Sequence, residues 1–313
     1  LSGLFVWPSL ARKGALVFMK DRLLRLGLPF TVIVLAIMPL AYYPSFQITG
    51  SKIGFADFWW NMITIGPWPA GPAWFIWLLL AFDAVAAGLW LVAPSLIDQF
   101  NKTITGAGPL PRHFFAILIV VSAIAYFAMA LPFGTLRWLS FGPFAVQASR
   151  LLFYAVYFLA GMLVGAGGIE RLSAQPGLVG RGVIWLAAGL AAYALLVILE
   201  AWRQRLFILS PTLWWQLCDG AAYVIGCAAL CIACVALFLR FANGKASPLD
   251  RMRDQAYGIY LVHYVFVIWL QDARLDAGVP AILKGTIVFA LSLAISWILV
   301  AALRRISWVA SII

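Results

Sequence analysis

Phe18-Met-Lys-Asp-Arg22-Leu-Leu-Arg25-Leu-Gly-Leu-Pro29 runs directly into Phe30-Thr-Val-Ile-Val-Leu-Ala-Ile-Met38. A cluster of cations, part of a basic loop over Ala11–Gly27, is followed by an apolar stretch long enough to enter a bilayer. The same alternation recurs along the chain. A helix rising 1.5 Å per residue needs about 20 mainly apolar residues to cross the hydrocarbon core. After an opening apolar half-span, Leu1–Leu10, eight stretches approach or reach that length: roughly 27–44, 73–94, 113–132, 149–168, 182–201, 213–239, 256–271 and 281–303. They lack the two-residue alternation of lipid-facing and lumen-facing side chains that barrel strands require. The sequence therefore predicts an all-α fold. It is a polytopic transmembrane helix bundle of one partial plus eight full spans, forming a single domain over residues 1–313.

Composition points the same way. Hydrophobic residues make up 65% of the chain and charged residues 11%, against about 45–50% and about 25% in a soluble domain. Such a chain cannot cover a water-facing surface. The net charge of +11 does not indicate nucleic acid, because the cations sit mainly between apolar runs, where they set membrane orientation. With the Arg22–Arg25 loop placed in the cytoplasm and the spans alternating, 15 of the 22 Lys and Arg residues fall on the cytoplasmic side. These are Arg12, Lys13, Lys20, Arg22, Arg25, Lys102, Arg112, Arg171, Arg181, Arg240, Lys245, Arg251, Arg253, Arg304 and Arg305. That asymmetry has the direction of the positive-inside rule. Residue 1 is Leu, and the opening half-span lacks the basic start and cleavage site of a signal peptide. The expectation is that the natural protein continues upstream. Cys218, Cys227, Cys231 and Cys234 share one apolar run and read as small packing residues; no metal site is expected.

Ionisable side chains inside spans are costly and default to functional candidates. Three stand out here: Asp83, Asp219 and His263. A neutral His263 can act as general base near pH 7, oriented by a carboxylate such as Asp83; the structural alternatives are interhelical hydrogen bonding and ion pairing. His113, beside Arg112, reads as interfacial. Arg22 and Arg25 are spaced i, i+3, so on a helix they share a face and can converge on one phosphate group, with Lys20 adding charge. The competing reading is topology and attraction to anionic lipid. Arg304 reads as topology alone, so its replacement is expected to leave activity intact. The outer loop 45–72 is dense in aromatics: Phe55, Phe58, Trp59, Trp60 and Trp68, followed by Trp74 and Trp77. These form either an interfacial belt or a platform for sugar rings. Gly161-Met-Leu-Val-Gly165 is a small-xxx-small pattern that lets helices approach closely. No Walker loop, His-Glu-x-x-His or Gly-x-Ser-x-Gly occurs.

Five segments together resemble the acyltransferase type 3 family of integral membrane acyltransferases. Leu1-Ser2-Gly3-Leu4-Phe5 is similar to its Ser-Gly-Phe/Tyr segment, and Phe18–Pro29 to its F-x-x-x-R-x-x-R-x-x-x-P signature. Ala73-Trp74-Phe75-Ile76 resembles Leu-Trp-Phe-Leu, and Phe158–Gly165 resembles Phe-x-x-Gly-x-x-x-Gly. Tyr257-Gly-Ile-Tyr260-Leu-Val-His263 resembles Ser-x-x-Ile-Tyr-Leu-x-His, with Tyr257 near the position where Ser is common. The resemblance implies ten spans in the full-length protein. It implies transfer of an acetyl- or succinyl-type group from cytoplasmic acyl-coenzyme A, a co-substrate rather than a bound cofactor, to a hydroxyl of a cell-envelope carbohydrate or glycolipid. It implies a bacterial inner-membrane location among lipids, donor binding by Arg22 and Arg25 with Lys20 nearby, and Tyr260 and His263 lining the transmembrane site. Trp59, Trp60, Trp68 and Trp74 are the acceptor-side aromatics on this view. The family's principal catalytic histidine lies in a first span absent from this chain, and neither His113 nor His263 matches its position. The alternative function is a transporter or flippase for an amphiphilic anion or glycolipid, resting on Asp83, Asp219 and His263.

Overall fold

A computed structural model describes residues 2–66, 68, 71–96, 99, 113–168, 180–206, 212–241, 252, 254–273 and 278–313. Lys102, Arg112, Arg171, Lys245, Arg251, Arg253 and Arg274 lie outside the described residues, as does the side chain of His113. The helices are α1 (Val6–Lys13), α2 (Ala15–Gln47), α3 (Phe55–Thr64), α4 (Trp74–Val92), α5 (His113–Phe133) and α6 (Leu151–Gly167). They continue as α7 (Gly182–Arg205), α8 (Leu213–Phe241), α9 (Ala256–Asp272), α10 (Ala281–Leu303) and the short α11 (Ser307–Ala310). Among the described residues seven of them, α2, α4 to α8 and α10, are long and apolar enough to cross a membrane. The apolar α9 has 17 residues. A hairpin of two short strands, Trp138–Phe141 and Phe144–Gln147, is the one sheet among them.

One expectation is corrected. The basic stretch Ala11–Gly27 is not a loop: helix occupies it on both sides of Gly14, and α2 carries Arg22 and Arg25. Gly14 has a φ of 74°, a left-handed conformation that glycine adopts without steric penalty and that separates α1 from α2. The apolar run after it lets α2 form over 33 residues.

The chain divides into two compact units. The first comprises Leu1–Phe18, Phe82–Leu139 and Gln147–Lys245. Its Ser2–Phe5 turn lies directly on α6. A Cβ at Gly3 would stand 2.2 Å from the Phe158 carbonyl oxygen, and one at Gly165 would stand 2.0 Å from the Leu4 carbonyl oxygen. Main chain meets main chain there, as small-residue spacing allows. Elsewhere in this unit Tyr126, Phe153 and Tyr223 pack ring to ring at 5.0–6.0 Å. The Arg150 guanidinium sits 5.1 Å from the Tyr223 ring centre, a favourable cation–π placement. Cys227 packs against this cluster, so its role is that of a small apolar filler.

The second unit comprises Met19–Ala81, Ser140–Val146 and Ala246–Ile313. Its core gathers Leu26, Phe30, Ile33, Val34 and Met38 of α2, Ala73 and Ile76 at the start of α4, and Leu261 of α9. Three prolines interrupt α2: Pro29, Pro39 and Pro44. Each lacks the N–H that would pair with the carbonyl four residues earlier, and its ring crowds that carbonyl. Two wide π turns, Leu23–Gly27 and Ile33–Ile37, precede Pro29 and Pro39. The three freed carbonyls are those of Arg25, Leu35 and Leu40, and each accepts a side-chain hydrogen bond from elsewhere in the unit. Tyr257 Oη donates to Arg25 O at 2.6 Å, Trp59 Nε1 to Leu35 O at 2.7 Å, and Trp269 Nε1 to Leu40 O at 2.9 Å. In a bilayer, where water cannot serve such groups, this substitution is what makes the prolines tolerable.

Candidate active site

The Arg22–Arg25 turn is built by the proline behind it. Pro29 leaves the Arg25 carbonyl without its helical donor, the backbone widens over Leu23–Gly27, and Tyr257 of α9 fills the gap. The hydroxyl of Tyr257 thereby ties the arginine-bearing turn to the helix that carries Tyr260 and His263. Arg22 is half-buried and Arg25 exposed. Both line a cavity of about 390 Å³ with Leu26, Tyr257 and Arg304. Lys20 is exposed, just before Arg22 on the same helix, and is not part of that wall.

One turn along α9, Tyr260 Oη donates to the carbonyl of Pro72, at the threshold of Ala73-Trp74-Phe75-Ile76. His263 Nδ1 lies 2.8 Å from the Tyr260 carbonyl. A carbonyl only accepts, so Nδ1 carries the proton and Nε2 of the neutral ring presents a lone pair. The Tyr260 carbonyl thus orients the imidazole ring. His263 also lines a larger cavity, about 720 Å³, between α9 and α10. Its walls are mainly apolar, including Val267, Val288 and Phe289, with Gln271, Lys284 and Ser292 supplying polar atoms. Such a lining suits an amphiphilic ligand.

Asp83, on α4, is fully buried in the first unit, and Asp219, on α8, is half-buried there. Trp59 is committed to the Leu35 carbonyl, while Trp60, 6.2 Å from it centre to centre, is 58% exposed. Trp68 packs against the second unit's core, and Trp74 stacks edge-on with Phe75 at 5.6 Å. The sequence missed Arg304: as a cation ending an apolar run it reads as a topology signal, yet it lines the Arg22–Arg25 cavity. Only the fold-back of residues 307–313 beside α9 reveals this.

Three of the five motif segments, far apart in sequence, therefore meet in the second unit through named bonds: Phe18–Pro29, Ala73–Ile76 and Tyr257–His263. The other two, Ser2-Gly3 and Phe158–Gly165, meet in the first. The profile of a family described as "Acyltransferase domain" matches residues 1–301. No curated protein and no solved structure matches the chain significantly.

Proposed function

We propose that this chain, which belongs to the acyltransferase type 3 family and is an integral membrane, acyl-transferring enzyme, moves an acetyl- or succinyl-type group from cytoplasmic acyl-coenzyme A to a hydroxyl of a bacterial cell-envelope carbohydrate or glycolipid. The observation that carries this is the tie between the cationic turn and the Tyr260–His263 segment through Tyr257. Arg22 and Arg25 hold the donor's anionic part by charge-assisted hydrogen bonds, with Lys20 steering it in. The acceptor oxygen attacks the thioester carbonyl and its proton passes to a base. The carbon–sulfur bond breaks, and the coenzyme A thiolate leaves and is protonated. His263, through Nε2, is the proton-handling group among the residues placed here, and Tyr260 is a positioning residue whose hydroxyl is engaged with Pro72. The apolar cavity beside His263 suits the lipid-like part of a glycolipid acceptor, with Trp59, Trp60, Trp68 and Trp74 toward the sugar.

The test is reconstitution of the full-length protein in liposomes with radiolabelled acetyl- or succinyl-coenzyme A and candidate envelope glycans. Label is expected to move to the glycan, and Arg22→Ala and Arg25→Ala each to lower transfer about tenfold or more, the scale of one lost charge-assisted bond. Folded protein that transfers from neither donor to any glycan would defeat the proposal.

A further inference from the structure

We infer that Arg304 is a third anion-binding guanidinium in the Arg22–Arg25 cavity and contacts a phosphate of the ligand held there; this rests on the donor-site reading above. The placement follows from helix packing. At Gly258 a Cβ would stand 2.6 Å from Val300 Cγ1, so α9 and α10 can approach closely only because residue 258 is glycine. Val300 is completely buried. Arg304 follows it by one helical turn, its backbone N–H donating to Val300 O at 2.9 Å. It therefore comes out beside Tyr257, the neighbour of Gly258, and on the wall of the cavity that holds Arg22 and Arg25. The end of α10 is a favourable place for a cation, since the helix dipole is negative there.

Behind Arg304 the chain folds back through α11, and Ser311–Ile313 close one side of the cavity. The Arg304 guanidinium donates from Nη1 to the Ile313 backbone oxygen. This bond fixes the side chain and leaves its other N–H groups for a ligand, because a guanidinium has five. Three guanidiniums thus line one cavity of about 390 Å³, and an anion entering it can accept charge-assisted hydrogen bonds from more than one of them. The volume lies near the lower end for ligand cavities, about 300–1,000 Å³, so it takes a phosphate-bearing portion of a donor rather than the whole molecule. Coenzyme A and an anionic lipid headgroup share this phosphate chemistry; the reading above makes coenzyme A the source.

The experiment measures coenzyme A binding to the full-length protein in phosphatidylcholine nanodiscs, with and without phosphatidylglycerol, for wild type, Arg304→Ala, Arg304→Lys, Arg22→Ala and Arg25→Ala. Arg304→Ala is expected to weaken binding about 10- to 100-fold. Arg304→Lys should recover only part, because lysine keeps the charge and loses the planar fork; it also serves as the folded variant if alanine destabilises the protein. Removing the 3′-phosphate, with 3′-dephospho-coenzyme A as probe, or every phosphate, with pantetheine as probe, should shrink the effect of Arg304→Ala for at least one of the two probes. Unchanged coenzyme A affinity in Arg304→Ala, with affinity lowered in Arg22→Ala and Arg25→Ala, overturns the inference and leaves the donor site standing. Affinity unchanged in all three overturns both. Loss of phosphatidylglycerol retention with coenzyme A affinity intact assigns Arg304 to lipid and overturns the inference as well.

Discussion

The two compact units solve the problem of packing helices in lipid by opposite means. In the first, Gly3, Gly161 and Gly165 remove side chains so that the Ser2–Phe5 turn and α6 touch main chain to main chain. In the second, Pro29, Pro39 and Pro44 remove backbone donors, and tyrosine and tryptophan side chains replace them at Arg25, Leu35 and Leu40. The first device is steric and uses no polar chemistry. The second spends directional hydrogen bonds, and each bond fixes the position of a particular carbonyl. The cationic and histidine-bearing segments sit where directional bonds are used. Small-residue contacts set distance, whereas side-chain-to-carbonyl bonds also set register, and a catalytic arrangement needs register.

The sharpest way to break the comparison is at Gly165. Its added Cβ would meet the Leu4 carbonyl oxygen at 2.0 Å and the Leu4 carbonyl carbon at 2.7 Å, and backbone cannot rotate aside as a side chain can. Gly165→Ala is expected to destabilise by about 3 kcal/mol or more, the upper end of overpacking effects, seen as a fall in the thermal inactivation midpoint in detergent. Gly88, in α4 of the same unit, has nothing within 4 Å of such a Cβ. Gly88→Ala should therefore be neutral or stabilising by up to about 1 kcal/mol through helix propensity. Equal losses at both positions would mean that the close approach of the Ser2–Phe5 turn to α6 is not what holds the unit.

The two devices were unequally visible in the sequence. Helical spans follow from the length of apolar runs, and Gly161 and Gly165 announce close packing by spacing alone. The prolines of α2 were equally plain, but a proline says only that a carbonyl is freed; which side chain serves it depends on tertiary folding. Tyr257 is 232 positions from Arg25, and no local pattern joins them. The same limit hid Arg304, whose neighbours at the cavity come from α2 and α9. The basic stretch is helical for a related reason: charge density argues for water, yet Lys20 and Arg25 are exposed on a continuous helix that carries the charge without breaking. Asp83 and Asp219 stand out in the sequence as carboxylates within apolar runs, and both belong to the first unit, whereas the arginines and His263 belong to the second.

A middle-sized effect tests whether tyrosine truly stands in for the missing backbone donor. Tyr257→Phe deletes the hydroxyl that donates to Arg25 O and should cost about 1.5 kcal/mol, the upper end of a typical hydrogen bond's net contribution. Pro29→Ala supplies a backbone N–H to the same carbonyl. In the Pro29→Ala background, Tyr257→Phe is expected to cost less than about 0.5 kcal/mol, giving a coupling energy of about 1 kcal/mol or more in a double-mutant cycle. The pair Pro44→Ala and Trp269→Phe should behave alike at Leu40 O. Identical costs of Tyr257→Phe in both backgrounds would show that the bond is incidental to the proline.

The smallest effect separates the neighbours Trp59 and Trp60, both of which the sequence offered as a sugar platform. Trp59 donates to the Leu35 carbonyl freed by Pro39, so Trp59→Phe should lose about 1 kcal/mol of stability, a typical hydrogen bond. Trp60 is 58% exposed, and Trp60→Phe should stay within about 0.5 kcal/mol, as surface substitutions do. If the exposed ring contacts acceptor, Trp60→Ala will raise the acceptor KM several-fold with kcat and the inactivation midpoint unchanged. An unchanged KM would assign Trp60 to the interfacial belt. A stability loss at Trp60 equal to that at Trp59 would remove the distinction between a ring that serves a proline and a ring that merely faces outward.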